Sequence, residues 1–229
     1  MRIVPLLLTV PLLASACQNL GKDGGMDTVT TFAKSELGKE AAAIRTAEDA
    51  RLARSKVDEL LASPLTADAA VQIALLSNRG LQAAFNDLFI AHATALEQSL
   101  PPNPTFSIAR LASRPELELE RQIVINVLAL ATLPIRSDIA RERFRAAQIR
   151  TAESVARHAA ETRRAYFRAV GAQQTVNLLA QSQSAALAAT QISRRLGETG
   201  AINKLDQARE QVFYAELTAQ LATARQRAR

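Results

Sequence analysis

The longest regular pattern in the chain runs from Ser137 to Leu196, which contains no proline and a single glycine, Gly171. Alanine is abundant, and the large apolar residues recur at intervals near eleven: Phe144, Val155, Tyr166, then Val176 or Leu187. This period is typical of a nearly straight or slightly right-handed helix rather than a left-handed coiled coil. The pattern predicts one helix over 137–196, roughly 90 Å long at 1.5 Å per residue and too long for the core of a compact domain.

A second helix is predicted after a short break. Gly197 or Gly200 suits the left-handed conformation that ends many helices, and Asn203 suits the N-cap of the next one. The helical pattern then resumes over 204–229, with sparse apolar positions at Leu205, Val212, Phe213, Leu217 and Leu221. We therefore expect a helical hairpin whose tip is 197–203.

Two further helical segments precede this hairpin. Residues 32–63 are rich in Ala, Glu, Lys and Arg, which predicts a charged and mostly exposed helical segment. Pro64 interrupts the pattern and Thr66 suits an N-cap, with Asp68 in the first turn, where a negative charge favours the helix dipole. A helix is predicted over 66–100, and the prolines at 101, 102 and 104 end it.

Between the helices the pattern alternates with a period of two. Phe106, Ile108 and Arg110 share one face of a predicted strand over about 105–111, and 113–115 form a turn. A second alternating run over about 117–131 places Leu119, Arg121, Ile123, Ile125 and Val127 on one face. A membrane-spanning strand needs roughly 9–11 residues with one apolar and one polar face, and the second run meets that length.

The amino terminus predicts export. Arg2 precedes an apolar run from Ile3 to Ala14 that is too short to span a bilayer, so we interpret 1–16 as a signal peptide. Leu12 to Cys17 resembles a bacterial lipobox, which favours lipid attachment at Cys17, with ordinary cleavage beside it as the alternative. Residues 17–31 are then a lipid anchor and a flexible, glycine-containing tether.

The net charge and the positions of the histidines disfavour two classes of function, nucleic-acid binding and catalysis. The formal net charge is +6 and the pI is about 10.1, but basic and acidic residues are interspersed and aromatic residues make up 4%, which disfavours a nucleic-acid partner. His92 and His158 lie in separate predicted helices with no convincing ligands nearby, so we expect surface or packing roles. No catalytic residue, metal site or cofactor is predicted, and an enzyme is the least supported class.

Several stretches match a known family in order along the chain. The run from Pro64 to Leu75, the run from Asn78 to Ala84, the Pro102-Asn103-Pro104 before the first strand, and the run from Leu205 to Glu210 resemble the amino-terminal half of TolC-like outer-membrane efflux proteins. Together these stretches cover most of 64–229.

The resemblance implies a fold class and a function. The fold would be mainly α with a short β-hairpin: a long α-helical hairpin of a periplasmic tunnel, plus two transmembrane strands of a shared outer-membrane barrel. Localisation would be the outer membrane of a Gram-negative bacterium, with a lipid anchor and an extension into the periplasm. The partners implied are outer-membrane lipid, a periplasmic adaptor protein, which would dock at Leu196, Gly197, Thr199 and Gly200, and an inner-membrane pump.

The chain departs from the family in one respect. Family members carry two tandem repeats and form a trimer, whereas 64–229 supply one repeat. We therefore expect either a truncated, inactive fragment or a half-length protein that forms a homo-oligomer from more copies. The alternative function is a periplasmic adaptor or scaffold lipoprotein, which can also combine a lipid anchor with a helical hairpin.

Overall fold

The computed structural model describes residues 23–113 and 116–229. The predicted signal peptide, Cys17 and the first part of the predicted tether lie outside the described residues. The described chain divides into two units. One unit contains the described residues up to Ser63 together with Gln72–Ala159, and the other contains Pro64–Val71 and Ala160–Arg229.

The described residues are mainly helical, with one small antiparallel sheet, which confirms the predicted mainly α class with a short β-hairpin. Within these residues, none of the helices combines the length and the apolar character that crossing a bilayer requires. The elements in chain order are α1 (Met26–Leu37), α2 (Ala47–Leu61), α3 (Ala67–Ser77), α4 (Arg79–Ser99), β1 (Thr105–Ser113), β2 (Glu116–Val124), α5 (Val127–Ala131), α6 (Leu133–Glu198) and α7 (Lys204–Arg227).

The prediction of a tether up to residue 31 is wrong for its last part, because α1 begins at Met26 and buries Met26, Val29 and Ala33. The glycines before it serve close packing. Gly24 and Gly25 both have positive φ, and a Cβ on either would overlap an aromatic ring, that of Phe89 or of Phe144 respectively. Their small size therefore lets this segment approach α4 and α6. The glycines that suggested flexibility in the sequence are sites of contact.

The predicted helix over 66–100 is two helices. Thr66 does cap the first, since its hydroxyl accepts from the Ala69 N–H (3.1 Å). Asn78 then interrupts the run and becomes the N-cap of α4, accepting from the Leu81 N–H at 2.9 Å through its side chain. An asparagine side chain can replace a helical hydrogen bond by bonding to a nearby backbone N–H, and so it can interrupt a helix. The spacing of apolar residues does not reveal such an interruption.

The predicted second strand is also shorter than expected. β2 ends at Val124, and the residues expected to continue it to 131 form α5 instead. Asn126 caps α5, and the following Leu and Ala residues have good helix propensity. The long helix α6 begins at Leu133, so Pro134 lies in its first turn, where no N–H is needed, and not before the helix as predicted.

Each unit has its own buried positions. In the larger unit, α4 buries Leu81, Phe85 and Leu88 at helical spacing, and α6 buries Val155. In the other unit, the buried residues include Ala186 on α6, and Leu217 and Leu221 on α7. Other buried positions are alanine, among them Ala140, Ala152 and Ala224, so helices in each unit can approach closely. Charged residues pair along the exposed helix surfaces, as in Arg157 with Glu153 (2.9 Å).

Candidate functional site

The first candidate site is one face of the β1–β2 hairpin. The antiparallel register places Phe106 opposite Ile123, Ile108 opposite Arg121, and Arg110 opposite Leu119. These six positions lie on one face because side chains alternate along a strand. The two apolar rows predicted separately from the sequence therefore coincide on a single face. The other face places Thr105 opposite Val124, Ser107 opposite Gln122, and Ala109 opposite Glu120.

This apolar face is open to its surroundings. Phe106 and Ile123 are 60% and 66% exposed, and Ile108 and Leu119 are also exposed. In the part of the chain that the structure describes, the sheet contains only these two strands. A two-stranded hairpin is marginal in water, and each outer edge carries unpaired backbone groups. The hairpin therefore has a face and two edges that further strands or an apolar environment could cover.

The second candidate site is the turn between α6 and α7. The Ala201 N–H donates to the Leu196 carbonyl (2.8 Å), and the Gly200 N–H donates to the Gly197 carbonyl (3.2 Å). Together with the left-handed Gly200 (φ +75°), these bonds form a Schellman motif. The structure thus selects Gly200, and not Gly197, as the left-handed residue that ends the long helix. Asn203 caps α7 as predicted, since its side chain accepts from the Asp206 N–H (2.8 Å).

Gly197 has a different role at this turn. It is the penultimate residue of α6, and a Cβ there would overlap the side-chain amide of Gln207 on α7. The Gln207 Nε2 is buried and has no hydrogen-bond partner among the described residues. Glycine at 197 therefore lets the amide of α7 lie directly against the backbone of α6. A larger residue must displace Gln207 and change the surface of the tip.

The structure brings together the four residues predicted to dock an adaptor. Leu196, Gly197, Thr199 and Gly200 lie within the last turn of α6 and the bend that follows it. Leu196 is 42% exposed, Thr199 and Gly200 are exposed, and Gly197 is half-buried. The Thr199 hydroxyl donates to the Leu196 carbonyl (2.9 Å), which fixes the bend. The turn thus presents a compact, ordered surface.

The remaining candidate residues of the sequence analysis do not form a chemical site among the described residues. The His92 ring lies 5.0 Å from the Phe144 ring, which is a packing contact. Among the described residues, no group of three or more His, Cys, Asp or Glu side chains could hold a metal ion. Cys17, the predicted lipid-attachment residue, lies outside the described residues.

Sequence reasoning missed the polar contacts that hold extended segments against the helices. Gln72 accepts from the Glu40 N–H and donates to the Glu40 carbonyl, both at 3.0 Å. Ten residues later, Gln82 accepts from the Ile44 N–H (2.8 Å) and donates to the Ala42 carbonyl (2.9 Å). The two amides satisfy the backbone of 40–44 as a neighbouring strand would. No sequence pattern predicts these contacts, because the sequence does not distinguish a glutamine that bonds to a distant backbone segment from one that faces solvent.

A similar contact occurs in the other unit. The Tyr166 hydroxyl donates to the Leu65 carbonyl (2.9 Å), and Arg163 pairs with Asp68 (2.6 Å). The first contact joins the segment before α3 to α6, and the second joins the first turn of α3 to α6. The sequence analysis placed Tyr166 among the apolar positions of the long helix, so its polar function was not foreseen.

One cleft lies between the two arms of the helical hairpin. Its volume is about 550 Å³, and small residues such as Ala172 and Thr175 on α6 and Ala219 and Thr223 on α7 line it. Glu216 and Arg227 supply charge at its margin. The small side chains leave a groove along which a further helix could approach closely.

No family model matches the chain, and neither the curated proteins nor the solved structures include a match to it.

Proposed function

We propose that this protein is an outer-membrane channel component of a tripartite efflux or export system, and acts as a passive conduit for small molecules or ions. An inner-membrane pump would supply the energy, and a periplasmic adaptor protein would connect pump and channel. The proposal is carried by one observation: two nine-residue strands pair so that Phe106, Ile108, Leu119 and Ile123 share one exposed face.

The strand length and the pairing support a place in a membrane barrel. Nine residues in each strand reach the lower bound of what a tilted transmembrane strand needs. The opposite face carries Thr105, Ser107, Gln122 and Glu120 beside Ala109 and Val124, while the apolar face also holds Arg110 and Arg121. The opposite face thus has the polar majority expected of the lumen side of a barrel strand. Because backbone groups cannot remain unpaired in lipid, the free edges require strands from other chains or from another repeat. The proposal therefore includes a homo-oligomer, a trimer if each chain supplies a second repeat.

The helical hairpin supports the tunnel part of the proposal. α6 contains 66 residues, about 99 Å at the helical rise of 1.5 Å per residue. Helix α7 returns after a tightly capped turn, and the arms are lined by small residues suited to lateral packing. The ordered turn at 196–203 is the proposed docking point for the adaptor, and lipid attached to Cys17 would add an anchor to the outer membrane.

Membrane retention tests the strand face. In a Cys17→Ser background, which removes the proposed anchor, the full chain should resist carbonate extraction. Phe106→Lys puts a charge on the apolar face and should weaken retention, since a charged residue facing lipid destabilises a barrel strand, by about 0–1 kcal/mol near the interface and by about 2–4 kcal/mol at the bilayer midplane. Ser107→Lys adds the same charge to the opposite face and should leave retention unchanged. Equal behaviour of the two variants would overturn the assignment of the lipid face.

Adaptor cross-linking in cells tests the tip. Gly197→Gln should displace Gln207 and reduce cross-linking and efflux. Gly171→Gln is the matched control, because a Cβ at Gly171 meets nothing within 4 Å. Unchanged cross-linking and efflux in Gly197→Gln would remove the tip from the proposal. The alternative, a periplasmic scaffold lipoprotein, predicts instead that Cys17→Ser alone releases the chain from membranes.

A further inference from the structure

A continuous uncharged segment connects the hairpin to the long helix. It extends from Ile123 to Ile135, comprising the end of β2, all of α5 and the start of α6. Its apolar side chains are unusually exposed, with Leu128 at 75% and Val127 at 72%. Ile125, Leu130 and Ile135 are exposed as well. Contiguous apolar surface of this kind marks an interaction site rather than ordinary solvent-facing surface.

Both polar side chains of this segment form hydrogen bonds within it. Its two polar side chains are Asn126 and Thr132. Asn126 accepts from the Ala129 N–H (2.9 Å), while the Thr132 hydroxyl donates to the Leu128 carbonyl (2.9 Å). The Thr132 N–H also donates to the Leu128 carbonyl (3.0 Å). Each end of α5 thus has a side-chain hydrogen bond from within the segment, which lowers the number of backbone groups that must find a partner where water is scarce.

The charged residue nearest each end of the segment is an arginine. Arg121 precedes it and Arg136 follows it, and both side chains are exposed. Neither guanidinium pairs with a carboxylate of a described residue. Arginine can keep its aliphatic stem on an apolar surface while its charged end reaches a phosphate. An apolar centre flanked by two such cations is complementary to a bilayer leaflet, where acyl chains lie beside anionic headgroups.

We propose that the segment 123–135 lies in the interfacial region of one leaflet, with Arg121 and Arg136 contacting the phosphates of anionic phospholipids. A lipid leaflet fits better than a second copy of the chain, because burial against protein would require carboxylates opposite the two arginines. The inference rests on the proposed function only for the presence of a membrane. It gives residues 125–131 an interfacial site, in place of the predicted continuation of a transmembrane strand.

The absence of tryptophan from the sequence provides a site-specific test. Three full-length variants each carry one tryptophan: Leu128→Trp in the segment, Ile108→Trp on the strand face, and Leu52→Trp as a control on the charged helix α2. Their native side chains are all exposed, at 75%, 59% and 63%. Each variant is reconstituted in vesicles of phosphatidylcholine and phosphatidylglycerol, with bromine placed either near the glycerol or near the middle of the acyl chains.

The expected result is a blue-shifted Leu128→Trp emission, quenched more by shallow than by deep bromine, with no quenching of Leu52→Trp. If Ile108→Trp is quenched and Leu128→Trp is not, the interfacial proposal fails while the proposed function stands. If only Leu128→Trp is quenched, the interfacial proposal stands and the transmembrane strand fails. A blue shift of Leu128→Trp without lipid quenching indicates cover by protein, and overturns the proposal in favour of a second copy.

The arginines are tested separately. In the Leu128→Trp background, quenching should be about twofold greater in vesicles containing phosphatidylglycerol than in phosphatidylcholine alone, and this difference should diminish at high salt. Replacing both Arg121 and Arg136 by Gln should abolish the difference. Replacing Arg141 and Arg145, which are also exposed but pair with Asp138 and Glu142, by Gln removes the same formal charge from α6 and should leave the difference unchanged. A difference that persists without Arg121 and Arg136 would exclude their phosphate contacts.

Discussion

Substituting two glycines of the helical hairpin can show whether the tip needs glycine for its left-handed backbone conformation or for its small size. Gly200 has φ +75°, whereas Gly171 lies inside α6, and a Cβ at either position meets nothing within 4 Å. Gly200→Ala and Gly171→Ala therefore add the same methyl group to open space. Any difference in their stability must come from backbone conformation.

The expected effects have opposite signs. Alanine in the left-handed region costs about 1–2 kcal/mol, so Gly200→Ala should weaken the turn. Alanine inside a helix is favoured over glycine by about 0.5–1 kcal/mol, so Gly171→Ala should stabilise its surroundings. The two variants should thus differ by about 2 kcal/mol. A change of one to two kcal/mol corresponds to roughly 5–30-fold in an opening equilibrium.

Hydrogen exchange measured by mass spectrometry provides the assay, because local opening is read directly from backbone amides. In Gly200→Ala, peptides covering 199–203 should exchange roughly 5–30-fold faster than in the unmodified chain. Gly171→Ala should leave those peptides unchanged and slow exchange around its own position. Gly200→Asn should restore much of the protection, since asparagine tolerates the left-handed conformation. If Gly200→Ala exchanges at the original rate, the Schellman motif does not end α6 in solution.

Two further predictions concern the larger unit. Gln72→Ala leaves the N–H and the carbonyl of Glu40 without their partner, so it should lower the free energy of unfolding, measured by urea denaturation, by about 1–3 kcal/mol. The control Gln174→Ala removes an exposed glutamine side chain and should have little effect. Equal effects of the two variants would show that the amide contact is not formed. The Asp27 N–H, which donates to the Asp23 carboxylate at 2.8 Å, lowers the pKa of Asp23 below its ordinary value of 3.8. The ionised Asp23 carboxylate therefore stabilises the start of α1 fully above pH 3.8, and this stabilisation is lost as the pH falls through the lower pKa of the folded state. Hydrogen exchange of the α1 amides should accelerate over that acidic range. Asp23→Asn keeps an acceptor without the titration and should remove this acid dependence; an unchanged dependence would exclude Asp23 as its source.

Much of the architecture followed from local features of the sequence. The alanine-rich, proline-free pattern over 137–196 predicted a long helix. Thr66 and Asn203 marked helix starts, and alternation around Phe106 and Ile123 marked two strands. Each of these signals depends on a residue and its near neighbours along the chain. Adaptor docking at Leu196–Gly200, lipid attachment at Cys17 and the family resemblance remain predictions, because they concern partners and processing.

The tertiary structure decided the features that depend on which segments meet. Only the register shows that Phe106 and Ile123 share a face, and only the contact with Gln207 shows why Gly197 is small while Gly200 supplies the left-handed turn. Asn78 and Asn126 begin helices inside apolar runs, where local side-chain hydrogen bonds compete with the periodic pattern. The role of the Gln72 and Gln82 amides was visible only once the structure placed them in hydrogen-bond contact with the backbone of 40–44. The sequence by itself predicted most of the helical and extended segments, although 26–31 and 127–131 are helical against expectation. The contacts between distant segments determined the surfaces that those elements expose.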